Sequence, residues 1–111
     1  MNLQTDLQGD ILLISVLDDR IDAASAIQFK EKMREIVEEP SARVVLDMSN
    51  VGFLDSSGLG AVVAVMKALG PLRPLELSSL TPTVEKVFRL TRMDTVFLIH
   101  KALPDALKAA G

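Results

Sequence analysis

The chain has no cysteine, tryptophan or tyrosine, and only one histidine. Without cysteine, disulfides, thiolate nucleophiles and cysteine-bound metals are excluded. His100 alone cannot assemble a zinc site, and as it follows a predicted strand it reads as a solvent-facing or structural residue. Four phenylalanines are the whole aromatic content, too few for the stacking platforms of single-strand nucleic-acid binders. Positive charge is also short. Twelve basic residues face 15 acidic ones, for a net charge of −3, and the densest basic stretch, "FKEKMR", is interrupted by Glu31. No nucleic-acid surface is expected. No apolar run approaches the roughly 18 residues of a membrane span. The start "MNLQTDLQGD" has no basic region followed by an apolar block, so it does not read as a signal peptide. The expectation is a cytoplasmic protein without membrane contact.

Catalytic equipment is equally sparse. A Ser-His-Asp triad would have to bring His100 to Ser56 or Ser57, and "SSGLG" is not the Gly-x-Ser-x-Gly elbow. Gly58-Leu59-Gly60 is half of a dinucleotide fingerprint, but Val63 stands where the third glycine belongs, and the phosphate-binding lysine is missing. A small-molecule or nucleotide module at this turn is a rival reading that a titration with ATP and GTP would test. Asp18, Asp19 and Asp22 cluster before the first predicted helix. Turn chemistry and a helix cap account for them, and nothing supplies the phosphate cradle that a Mg²⁺ site would accompany. The chain reads as non-enzymatic, with no cofactor and no metal.

What is present is a core. Hydrophobic residues make up 49% of the 111 residues, enough for one globular domain spanning 1–111. Residues 3–7 and 11–17 read as strands around a turn at Gly9-Asp10. Asp22 is placed to cap a helix over "AASAIQFKEKMREIV", whose Ala26, Phe29, Met33, Ile36 and Val37 share one face before Pro40 stops it. "ARVVLDM" (Ala42–Met48) has the continuous apolar character of a strand buried on both faces. A strand-to-helix turn at Leu54–Gly58 leads into a helix ending near Leu69. "LELSSL" then suits a strand, "TPTVEKVFRL" a helix with Thr81 as cap and Pro82 first, "TVFLI" (Thr95–Ile99) a strand, and "PDALKAA" a terminal helix. The order β-β-α-β-α-β-α-β-α predicts an α/β fold: a mixed, mostly parallel sheet with an N-terminal hairpin and about four helices.

The stretch Asp55-Ser56-Ser57-Gly58 supports two readings. A serine there is an ordinary N-cap, accepting from unpaired first-turn N–H groups. Alternatively the hydroxyls belong to a docking surface. Placing Leu59, Val62, Val63, Met66 and Leu69 against the sheet leaves Ala61, Ala64, Val65 and Ala68 outward, an apolar, small-residue face where charged residues would ordinarily sit. A phosphate on such a surface would add about −1.5 to −2 charges.

Several stretches together resemble the anti-sigma factor antagonists of the STAS (sulfate transporter and anti-sigma antagonist) superfamily: "RIDAASA", "VVLDMSNVGFLDSSGLGAVV" and "LTPTVEKVFRLTRMDTVFLI". The likeness spans essentially the whole chain. The resemblance implies a bacterial regulator that binds its anti-sigma factor, a serine kinase of the histidine-kinase-like ATPase type, and so frees a sigma factor. It implies phosphorylation by that kinase on the first serine after the aspartate, Ser56, and reset by a metal-dependent serine phosphatase. ATP and Mg²⁺ would belong to the kinase. Asp22 matches the family's aspartate at the start of helix one, near the serine. The partner surface would then comprise Asp22, Asp55, Ser57, Gly58, Ala61, Ala64, Val65 and Ala68 on a monomer. Two departures are visible. Asp19 replaces the glycine often found before Arg-Ile-Asp, and would have to tolerate a left-handed backbone. "GPLRPLE" replaces the usual Gly-Gly before a later strand. The alternative within the superfamily is a non-enzymatic STAS subunit of a stressosome-like or transporter-associated assembly.

Overall fold

The first hairpin pairs strand β1 (Leu3–Gln8) with β2 (Ile11–Val16), Gln8 opposite Ile11. Gly9 has φ 62°, the left-handed value required at the first loop residue of a type II′ hairpin turn. This computed structural model describes residues 1–108. After the hairpin come β3 (Arg20–Ile21), α1 (Ala26–Ile36), β4 (Arg43–Asp47), β5 (Phe53–Leu54), α2 (Ser56–Leu69) and β6 (Leu75–Ser78). They are followed by α3 (Pro82–Leu90), a 3-10 turn at Met93–Thr95, β7 (Leu98–His100) and α4 (Leu103–Lys108).

The five-stranded sheet runs β1-β2-β4-β6-β7, with β1 antiparallel and every other pairing parallel. Leu12, Ile14, Val44, Leu46, Leu75 and Leu77 point from it into one core, against Phe29 and Met33 of α1, Val62 of α2 and Phe88 of α3. Val45 is fully buried on the opposite face, with Ile11, Leu13 and Ala106 of α4. β4 is thus covered on both sides, as its continuous apolar run requires.

Four local expectations are corrected. α1 begins at Ala26, so Asp22 is not its cap. Thr81 occupies the cap position of α3, but its hydroxyl donates to Val51 O at 2.7 Å and ties the helix to the loop before β5. The last strand starts at Leu98, because Met93–Thr95 is a 3-10 turn. Asp19 is not left-handed; among the described residues the positive-φ residues other than glycine are Ser79 and Arg92. The final alanines of "PDALKAA" lie outside the described residues. β3 and β5, two residues each, were not expected at all.

His100 is structural. Only 9% exposed, its Nε2 lies 2.8 Å from Glu76 Oε1. Arg43 Nε donates to Glu76 Oε2 at 2.8 Å, and its Nη2 donates both to Glu76 Oε1 and, at 2.8 Å, to the carbonyl of Ala106 in α4. Burial pushes the Glu76 carboxyl up, but the hydrogen bonds from Arg43 and His100 outweigh it and hold the carboxyl below its ordinary value. A carboxylate lowered on folding stabilises fully above the unfolded carboxylate range, and that stabilisation is lost as pH falls through the lowered value. Glu76→Gln is therefore expected to cost about 3 kcal/mol at neutral pH, since it leaves the Arg43 charge underpaired. The gap from wild type should narrow below the normal carboxylate pKa of 4.5. Urea denaturation of both proteins across the acidic range measures it.

Candidate functional site

The two shortest strands decide where the serines stand. β3 pairs parallel with β5, Arg20 opposite Phe53 and Ile21 opposite Leu54. Each strand leads directly into a helix start, so the turns before α1 and α2 lie side by side. Gly52 N–H donates to Asp19 O at 2.8 Å, and the Asn50 side-chain amide donates to Leu17 O at 2.5 Å, holding the two loops together.

Gly58 brings α2 against this small sheet. A Cβ there would lie 2.0 Å from the carbonyl oxygen of Ile21 and 2.8 Å from Leu54 Cδ1. Only hydrogen fits. Gly58 was expected on the partner surface; it is buried and serves as the seat of the helix.

The cap of α2 is Asp55, not a serine. Its backbone is extended, and its Oδ1 accepts from Gly58 N–H at 2.8 Å. Its Oδ2 accepts from Ala23 N–H at 3.1 Å, in the turn before α1. One carboxylate thus spans both helix starts. Ser56 and Ser57 are the first two helical residues; both are exposed, and neither hydroxyl has a hydrogen-bond partner among the described residues. The cap reading of the serines fails because a carboxylate one residue earlier already does that work.

Asp22 closes the turn ahead of α1. Its Oδ1 accepts from the N–H groups of Ala24 and Ser25 at 3.1 and 3.2 Å. Ser25 Oγ in return accepts from Asp22 N–H at 3.1 Å, a reciprocal arrangement like a capping box. Asp22 Oδ2 is 3.6 Å from the Arg20 guanidinium, which also lies 5.0 Å above the exposed ring of Phe53. The sequence reading missed this exposed cation–π pair; the available signal was a lone aromatic two residues before Asp55.

The helical face is rotated from expectation. Ala61 and Val65 are 2% and 5% exposed, turned inward with Gly58 and Val62. Small residues line this side because α2 approaches α1 and the backbone of β3 closely. Ala64 is half-buried and Ala68 exposed, as predicted for an outward position only in the latter case. Leu59 and Met66 are partly rather than fully buried. The outward strip of α2 is Ser56, Ser57, Gly60, Ala64, Lys67 and Ala68. Beside it runs a groove of about 370 Å³ between Ile27, Lys30 and Arg34 of α1 and Ala64, Val65 and Ala68 of α2. Among the described residues no three histidine, cysteine, aspartate or glutamate side chains are grouped to hold a metal ion. No described helix is long and apolar enough to cross a membrane.

Comparison with known proteins adds a family. The STAS domain family matches residues 2–106. BtrV of Bordetella bronchiseptica, named as an anti-sigma factor antagonist, is 32% identical over 101 residues, which cover 90% of this chain and 87% of that protein. The crystal structure of an anti-sigma factor antagonist from Mycobacterium paratuberculosis has a TM-score of 0.87 at 26% identity, covering 97% of this chain and 92% of that one. The phosphorylated form of SpoIIAA, a Bacillus cell fate determinant, shares the fold at a TM-score of 0.67 and 20% identity, covering 99% and 100% of the two chains.

The two glycines at the site give opposite expectations. Gly58→Ala forces a methyl group onto the Ile21 carbonyl and should destabilise by about 3 kcal/mol or more, or prevent folding. Gly60 has nothing within 4 Å of the added methyl, so Gly60→Ala should stabilise by about 0.5–1 kcal/mol. Thermal and urea unfolding of both variants checks the pair.

Proposed function

The chain belongs to the STAS domain family, and on that premise we propose that it is an anti-sigma factor antagonist switched by phosphorylation of Ser56. Unphosphorylated, it binds an anti-sigma factor that is a serine kinase of the histidine-kinase-like ATPase type, and a sigma factor is released. Phosphate on Ser56 ends that binding, and a metal-dependent serine phosphatase restores it. The chain supplies the acceptor and the docking surface; the catalytic groups, ATP and Mg²⁺ come from the kinase.

One observation carries this reading. Two hydroxyls stand exposed at the start of α2 with no task in the fold, because Asp55 already caps the helix. Exposure is common to both serines. The choice of Ser56 rests on its place as the first serine after the aspartate in Asp-Ser-Ser-Gly-Leu-Gly. The docking strip continues from Ser56 and Ser57 along Gly60, Ala64 and Ala68, replacing the strip through Ala61 and Val65. A phosphate at its end sets about two negative charges where a partner would otherwise bury a neutral edge.

Incubation with the cognate kinase and Mg-ATP, followed by phosphopeptide mass spectrometry, is expected to find phosphate on Ser56. Ser56→Ala should bind the kinase persistently and stay unmodified. Ser56→Asp should fold and bind weakly. Ala68→Arg should fold with a stability change under about 0.5 kcal/mol, yet lose partner binding. Phosphate on Ser57 alone, or on neither serine, overturns the assignment. Copurification with a membrane transporter and no modification would favour the transporter-associated alternative.

A further inference from the structure

We infer that Asp55 is the positioning residue for the phosphoacceptor: through its hydrogen bonds to Gly58 and Ala23 it keeps the Ser56 hydroxyl out of the helix cap and fixes the first turn of α2 against the turn before α1. This rests on the reading of Ser56 as the acceptor and adds what makes that serine available.

Serine and aspartate compete for the same position. Each caps a helix well, because each offers a side-chain oxygen to a first-turn N–H two or three residues on. In this chain Asp55 wins. Its Oδ1 takes Gly58 N–H at 2.8 Å, and its carbonyl takes Leu59 N–H at 2.9 Å, the first full helical bond. If Asp55 loses its carboxylate, Ser56 is the next residue able to cap. The helix would start one residue later, and Ser56 Oγ would turn back to accept from Leu59 N–H. That hydroxyl would then point along the helix instead of outward.

The second oxygen acts between elements. The bond from Ala23 N–H to Asp55 Oδ2, at 3.1 Å, ties the turn before α1 to the cap of α2. It sets Ser56 beside the Asp22–Ser25 turn, so a kinase meets both as one surface. In the transfer, Ser56 Oγ attacks the γ-phosphorus of kinase-bound ATP. The Oγ–P bond forms as the bond to the β–γ bridging oxygen breaks, ADP leaves, and the hydroxyl proton passes to a general base of the kinase. Each oxygen of Asp55 accepts a backbone N–H, which holds the carboxylate between the two turns. Its role is to present the nucleophile, and a displacement of about 1 Å there can cost roughly a hundredfold in rate.

Asp55→Ala removes both bonds. Asp55→Asn keeps an equally good cap on Gly58 but turns an amide NH₂, which cannot accept, toward Ala23 N–H. With the cognate kinase and Mg-ATP, Asp55→Ala should lose about tenfold or more in kcat with KM within about twofold, and Asp55→Asn should recover most of the loss. Amide exchange followed by NMR should show Gly58 deprotected in Asp55→Ala and protected in Asp55→Asn, which also reports that the variants are folded. Wild-type rates with Asp55→Ala, or equal losses in both variants, overturn the inference while leaving Ser56 as the acceptor. A wild-type chain unmodified on Ser56 overturns the parent reading and this one with it.

Discussion

The carbonyl oxygen of Ile21 is where the first turn of α2 comes to rest, and it can rest there because residue 58 has no side chain. That contact sets the rest of the site. With α2 seated on β3, the paired strands β3 and β5 deliver two helix starts to the same place, and one carboxylate reaches a backbone N–H in each. With the cap filled by Asp55, the following serines are surplus to the fold. The exposure of Ser56 is therefore a consequence of a backbone contact two residues further on. A bulkier residue at 58 would push α2 away from β3, and Asp55 could no longer serve both turns.

The opposite side of the sheet is organised by charge. Among the described residues, α4 packs on Ile11, Leu13 and Val45. Across the neighbouring strands the buried contacts are instead Arg43, Glu76 and His100, with Arg43 also holding the Ala106 carbonyl of α4. A buried ion pair gains little net stability over well-packed apolar residues, because desolvation offsets most of the attraction. Its specific effect here is on register. Glu76 meets Arg43 and His100 together only when β6 lies between β4 and β7 in the observed alignment. A slip of one residue would turn that carboxylate into the apolar core on the other face. Correct placement of β4 in turn positions the loop that leads to β5 and the serine turn.

Much of this was legible in the sequence, for physical reasons that also explain the failures. β2 and β4 announced themselves by continuous apolar runs, and α1 by charges opposite Phe29 and Met33. The serine turn was visible as a cluster of capping residues, but the cap was placed one residue late, because Asp55 and Ser56 have nearly equal aptitude for it. The face of α2 was misread because the helix is apolar nearly all round. Alanine fits both a close helix contact and an exposed strip, so Ala61 and Ala68 cannot be told apart by type. β3 and β5 are too short for any periodicity to show. Arg43, Glu76 and His100 are brought together by strand order, and no local pattern links residues so far apart in the chain. Asp22 reads from the sequence as the cap of α1, with its place near the serine implied only by the family resemblance, while the bond between the two turns comes from Asp55 and reaches Ala23 through a backbone group that carries no sequence signal.

The proposed switch needs no rearrangement of this fold. A phosphate at the first position of α2 meets the positive end of the helix, an interaction worth about 0.3–1 kcal/mol at an exposed site. The carboxylate of Asp55 opposes it at short range, so the two effects largely cancel and the domain should carry the phosphate with little change in stability. A bound partner faces a different balance. It would have to enclose the same charge at an interface, where an uncompensated buried ion costs several kcal/mol. The asymmetry follows from the hydroxyl having no hydrogen-bond partner among the described residues: modification breaks no bond among them, and nearly all of its free-energy cost falls on the complex. A serine serving as the helix cap could not behave this way, because phosphorylation would disturb the fold before any partner was engaged.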